Sequence, residues 1–239
     1  MTEAWIGFAG GILGAVIAAV VAVRQSRMDK HLALLTRELD REERAEEVLT
    51  RYREPLAAAA FDLQSRLFNI LQLDFLGKFG DGDRSRSAFT TTLFRLAQYF
   101  GWTEILRRDI QFLSFPADAD TRKVADLQAR IARCFLTDEY GPELMVWSDE
   151  QRAVGERMIV EEHGKVICMG YARFRDECEK TFAPWLERLQ AELPAAAADG
   201  QRLRAAQHLL CELVEALGAV GVRYTPEQLT RAEARDGGR

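Results

Sequence analysis

Hydrophobic and polar positions are spread unevenly along the chain. From Ala4 to Val23, AWIGFAGGILGAVIAAVVAV, no charged residue occurs. A helix of about 20 residues rises about 30 Å, the thickness of a bilayer's hydrocarbon core. A cleaved signal needs a basic start and a shorter apolar core. Here the chain begins MTEA, with an acid and no Lys or Arg. A core helix would show a polar face, and this run has none. The pattern predicts a short extracytoplasmic N-terminus over 1–3 and a transmembrane helix over 4–23, with Trp5 at the interface.

The remaining chain alternates at helical spacing. Residues 24–54 predict a charged stalk helix, with Leu32, Leu35 and Leu39 in a brief apolar seam that gives way to DREERAEEV. That seam suits either a dimerising stalk or a solvated helix. Pro55 fits the first position of a new helix, whose apolar stripe is Leu56, Ala60, Leu63, Leu67, Ile70 and Leu71. GKFGDGDRSRS reads as a glycine-rich connector without P-loop spacing. Helical patterns resume through Phe89, Leu93, Leu96, Phe100, Ile105, Leu106 and Ile110, ending near Phe115. They continue through Val124, Leu127, Ile131, Cys134 and Phe135. Gly101 marks either close packing or a local break.

The segment from Ser148 differs in kind. Ser148 and Gln151 have capping-box spacing, which starts a short helix near Asp149. MIVEE and KVICM are β-branched runs separated by His163-Gly164, the pattern of a β-hairpin. A helix with Tyr171, Phe174, Cys178, Phe182, Trp185 and Leu189 inward follows, bent or divided at Pro184. PAAAADG reads as a linker, Leu203, Leu210, Val214 and Leu217 as a further helix face, and Thr225-Pro226 as one more helix start. The expected fold is mainly α: a transmembrane helix, a stalk, then a helical cytoplasmic domain over 55–230 of about six helices with one small β-hairpin. Residues 231–239 form a flexible tail.

Charge orients the assembly. Arg24, Arg27, Lys30 and Arg37 follow the apolar run and nothing basic precedes it, so the N-terminus is expected outside and the domain in the cytoplasm. The location is then the cell membrane, single-pass. Net charge is −5, which gives no basic face for nucleic acid. Cys134, Cys168, Cys178 and Cys211 lack the spacing of a zinc or redox motif, and a cytoplasmic setting favours reduced thiols. Gly7, Gly11, Gly14 and Ala18 place small residues along one face of the span. That row serves self-association through the span, or reflects the ordinary abundance of Gly and Ala in membrane helices.

Candidate chemistry is sparse. His31, His163 and His208 form no metal-ligand pattern, so no metal and no cofactor is expected. No nucleophile–base set stands out, and no catalytic residue is assigned. Cys168 lies beside the Glu161-Glu162-His163 run if the turn is tight, which raises a Cys–His couple against a structural cysteine. Glu104, Arg107, Arg108 and Asp109 cluster on one helix near Trp102, as a buried ion network, a site for an acidic ligand, or surface ion pairs. Trp102, Arg107, Arg108 and His163 are therefore the candidate ligand or partner residues.

The blocks YREPLAAAAFDLQSRLFNIL, FRLAQYFGWTEILRRDIQFL, EQRAVGERM and CMGYARF resemble segments in a group of uncharacterised bacterial proteins. That resemblance covers 51 to about 193 and implies a domain that recurs with or without an anchor. It brings no activity or binding residue. Three functions stand. The first is a membrane-tethered interaction or scaffolding protein, whose partners are the lipid bilayer, an unknown protein and a second copy. The second is a ligand-sensing or enzymatic domain with a site between the helices and the hairpin. The third is an oligomer that acts on the membrane.

Overall fold

The computed structural model describes residues 51–110 and 119–234, together with scattered positions between 24 and 36. The chain divides into two units, Met1–Arg44 and Ala45–Arg239. In the first, the described positions are helical. Met28, Leu32, Leu34 and Leu35 are exposed there, and the Thr36 hydroxyl donates to the Leu32 carbonyl at 2.9 Å. The run over 4–23, with Gly7, Gly11, Gly14 and Ala18, lies outside the described residues. Among the described residues no helix is long and apolar enough to cross a membrane.

The second unit is mainly helical with one antiparallel hairpin. Helix α1 covers 51–72, α2 Phe75–Phe79, α3 Ser85–Ile110, α4 Ala119–Leu136 and α5 Ser148–Met158. Strands β1 (Ile159–Glu162) and β2 (Lys165–Cys168) follow, then α6 Tyr171–Glu177, α7 Ala183–Asp199 and α8 Gln201–Ala216. Single 3₁₀ turns lie at Gly82–Arg84 and Pro226–Leu229. The apolar stripe of α1 is buried along its length: Leu56, Ala60, Leu63, Leu67, Ile70 and Leu71. Val124, Leu127, Ile131, Cys134 and Phe135 of α4 are buried too, as are Leu203, Leu210, Val214 and Leu217 on and just after α8.

Several local expectations are corrected. Pro55 does not open a helix; α1 is already helical at 51. The proline forfeits one backbone bond, and the burial of Tyr52, Leu56 and Ala57 around it holds the turn. PAAAADG is not a linker, because α7 runs through Pro194 to Asp199. Its alanines carry the highest helix propensity, and Gly200, at φ 72, makes the break instead. Helix α5 starts at Ser148, with the Glu150 carboxylate accepting from the Trp147 N–H at 3.0 Å. Gln151 does not cap; its amide donates to the carbonyls of Ala132 and Val146 at 3.0 and 2.9 Å. More helical segments occur than the six expected, since 74–84 holds a short helix and 171–199 is divided in two. Pro184 sits in the first turn of the second piece. The expected end of α3 near Phe115 falls outside the described residues.

The hairpin forms as expected. Glu162 pairs with Lys165 and Ile159 with Cys168. His163 and Gly164 both have positive φ, 52 and 72, the backbone of a two-residue type I′ turn. The hairpin packs on α3, where Gly101 allows close approach. A Cβ there would lie 2.7 Å from the Cys168 sulfur and 2.8 Å from the Met158 Cβ. Gly155 on α5 is the reciprocal gap: a Cβ would lie 2.7 Å from the Phe100 carbonyl oxygen and 2.8 Å from the Glu104 Cβ. Two glycines, one per helix, thus set the α3–α5 crossing.

Candidate functional site

The crossing of α3 over α5, with α4 alongside, leaves a cleft of about 360 Å³. Helix α3 contributes Phe100, Thr103, Glu104 and Arg107, α4 contributes Ala125, Gln128, Ala129 and Ala132, and the first turns of α5 contribute Ser148, Gln151 and Arg152. The alanines at helical spacing on α4 create the room, because a larger side chain at any of them would fill it. The walls are mostly apolar, with few polar atoms, as in small-molecule and peptide pockets.

One wall carries a buried ion network. Glu104 is only 2 % exposed. It accepts from Arg107 Nε and Nη2 at 2.7 Å each and from Arg108 Nε at 2.8 Å. Arg108 also reaches Glu156 on α5 at 3.0 Å. Burial raises the Glu104 carboxyl, but the hydrogen bonds from Arg107 and Arg108 outweigh it and leave the group below its ordinary value. The same bonds raise both guanidiniums. The network therefore stays charged near neutral pH and ties α3 to α5. The ion network is thus anchored on one buried carboxylate, Glu104, with the half-exposed Arg107, Arg108 and Glu156 around it; Asp109 bonds to Tyr52 instead.

The cleft's other polar groups are set by neighbours. Thr103 donates its hydroxyl to the Tyr99 carbonyl at 2.9 Å. Gln151 is fixed by its two carbonyl partners. Gln128 differs: its Nε2 is buried and has no hydrogen-bond partner among the described residues, an arrangement that costs about 1–3 kcal/mol. A bound group with an acceptor oxygen would satisfy it.

The start of α5 is held in turn by the irregular segment 137–147. Arg202 at the head of α8, 2 % exposed, donates to the carbonyls of Cys134, Glu143, Thr137 and Gly141 at 2.5, 2.9, 2.8 and 2.6 Å. A guanidinium among these oxygens closes the C-terminal end of α4, where the helix dipole favours a cation. Leu144, buried at φ 55, is kept in place by its N–H bond to Glu192 at 2.8 Å. Arg188 adds a bond to the Met145 carbonyl at 2.9 Å. These contacts place Ser148, Gln151 and Arg152 at the cleft.

The four sequence candidates do not converge. Arg107 lines the cleft and Arg108 joins it through Glu104. Trp102 turns away, partly buried, with its ring centroid 6.2 Å from that of Tyr52. The Tyr52 hydroxyl donates to Asp109 at 2.6 Å. His163 is exposed in the hairpin turn, and no hairpin residue lines the cleft. The Cys–His couple does not form. Register places Cys168 opposite Ile159, at the far end of the hairpin from the turn. Its thiol points to the Gln98 carbonyl at 3.7 Å, and burial pushes it up to about 12. All four cysteines are free thiols. Among the described residues no cluster of metal-ligating side chains occurs. Gln128 and Arg152 were not singled out by the sequence and Gln151 only as a helix cap, although Ala125, Ala129 and Ala132 on one helix face would have marked the gap. No family model matches the chain, and no curated protein or solved structure matches it.

Proposed function

We propose that this chain is a membrane-tethered interaction protein. The uncharged run Ala4–Val23, followed by Arg24, Arg27 and Lys30, carries the reading: it has the length of a span and the flanking charge of an outside N-terminus. The helical domain then faces the cytoplasm and engages a partner, and Gly7, Gly11, Gly14 and Ala18 offer a contact between two spans. The experiment is carbonate extraction of membranes from cells making the full chain with a C-terminal tag, followed by protease treatment of right-side-out vesicles. Retention in the pellet with a protected tag is expected. Release by carbonate, or digestion of the tag, overturns the reading.

A second reading, a ligand-sensing domain, is favoured by the unpartnered Gln128 amide in the cleft. A ligand there would place an acceptor oxygen on Gln128 and its apolar part along the α4 alanines, with any negative group towards Arg107 and Arg152. Gln128→Leu is expected to leave the melting temperature of the unliganded protein unchanged or higher, because it removes an unsatisfied buried amide. A drop of several degrees would mean that Gln128 serves the fold and not a ligand.

A further inference from the structure

A second cavity, of about 380 Å³, lies on another part of the domain, where the segment 74–84 covers α1 and the start of α3. Phe75, Phe79, Arg84, Ser87 and Thr91 line it. Arg66 of α1, 8 % exposed, is not on that lining but lies behind two of its residues, Phe75 and Thr91. The guanidinium carbon is 3.8 Å from the centroid of the Phe75 ring, and Nη2 is 3.3 Å from the Thr91 hydroxyl oxygen. Nε and Nη1 are buried with no hydrogen-bond partner among the described residues. Among the described residues no carboxylate pairs with Arg66. Its neighbour Arg95 is also a cation, engaged with the Asp62 carbonyl at 2.8 Å. Burial foremost, with the Arg95 charge adding to it, holds the Arg66 guanidinium down to about 10.

A buried guanidinium without a counter-ion is costly to the fold. Arg202 meets that cost with four carbonyls, whereas Arg66 has one hydroxyl contact and the face of the Phe75 ring. Arg84, exposed on the cavity's rim, adds a second cation with no ion pair among the described residues and with its guanidinium carbon 6.0 Å from the Phe79 centroid. Two aromatic rings supply apolar surface beside Ser87, Ala88 and Thr91: those of Phe75 and Phe79 lie 5.3 Å apart. We propose that this cavity binds an organic oxyanion, a carboxylate or phosphate carried on an apolar body, with Arg66 and Arg84 as its counter-charges. The apolar body lies along Phe75 and Phe79. Phe75 shields the Arg66 nitrogens, and it belongs to a helix of five residues, none of them buried. Such an element opens at low free-energy cost, which gives the anion its route to the guanidinium.

The test uses the full chain in detergent micelles and follows melting temperature against three probes: inorganic phosphate, phenyl phosphate, and short-chain phosphatidylglycerol below its micelle-forming concentration. Phenyl phosphate is expected to raise the melting temperature in a concentration-dependent way and more than inorganic phosphate does. An equal or larger response to the phospholipid identifies a headgroup as the source, and a smaller one a free metabolite. Arg66→Met is expected to leave the unliganded protein as stable or more stable and to abolish the response. Arg84→Gln, at an exposed position, should weaken it about tenfold without changing the unliganded melting temperature. The proposal is overturned if none of the probes stabilises the parent, or if both variants respond as the parent does.

Discussion

At the scale of single residues, the domain depends on a few atoms that are absent and a few that are buried. Gly101 and Gly155 matter for the Cβ they lack. Gly155→Ala would push a methyl group against the Phe100 carbonyl and Glu104, and overpacking of this kind costs about 1–3 kcal/mol. A lowered urea midpoint with an unchanged slope is the expected result. Glu104 matters for its charge. Its carboxyl is depressed in the folded state, so the stability it adds is present above the ordinary carboxylate range and is lost as pH falls through the folded value. Between neutral pH and about pH 3, Glu104→Gln should flatten the loss of stability relative to the parent; parallel curves would mean that the network contributes nothing. Thiols follow burial. Cys134 and Cys211 are pushed up to about 11 and about 12, mainly by desolvation. Alkylation of the native protein at neutral pH should be slow at Cys134, Cys168 and Cys211. Half-buried Cys178 should react first, as read by peptide mass spectrometry.

At the scale of elements, the helices and hairpin were legible because each shows its own period. The i, i+3, i+4 stripe of α1 and the β-branched runs around His163-Gly164 need no distant partner to be recognised. What escaped depends on contacts remote in sequence. Pro55 and Pro194 look like helix boundaries locally, yet packing carries both helices through them. The shape of 137–147 follows from Arg202, 65 residues beyond Thr137, and no local pattern pairs an arginine with carbonyls that far away. The candidate site was half legible for the same reason. Arg107 and Arg108 stood out by charge, whereas the cleft beside them comes from alanines, whose message is missing volume. Arg202→Met should therefore do more than remove one side chain. With its carbonyls left unsatisfied, a loss of about 2–5 kcal/mol is expected, visible in chemical denaturation. Arg202→Lys should rescue little, because an ammonium lacks the planar fork that reaches several oxygens.

At the scale of the molecule, the membrane-tethered reading rests on the apolar opening run, and the domain's internal logic stands apart from it. The last described residues lie over α1 and α8. Gln64 donates to the Gln228 carbonyl at 3.1 Å and Gln72 to the Glu233 carbonyl at 2.8 Å. Gln207 donates to the Thr230 carbonyl at 3.0 Å and accepts from the Ala232 N–H at 3.0 Å. His208 Nε2 lies 2.9 Å from the Ala232 carbonyl oxygen. Deleting residues 226–239 would strip partners from Gln64 and Gln207, which are nearly inaccessible to solvent. Faster hydrogen exchange in both α1 and α8 is the expected outcome, while exchange confined to α8 would show that α1 does not depend on the strap.

That strap has a consequence for synthesis. Gln64 and Gln228 are 164 positions apart, and Gln72 and Glu233 are 161 apart. A growing chain presents the glutamines of its first packed helix long before the carbonyls that satisfy them are made. Closure waits until residues 228–233 have been made, so a nascent domain keeps an unlatched seam until then, and a stop before Gln228 would leave it unlatched.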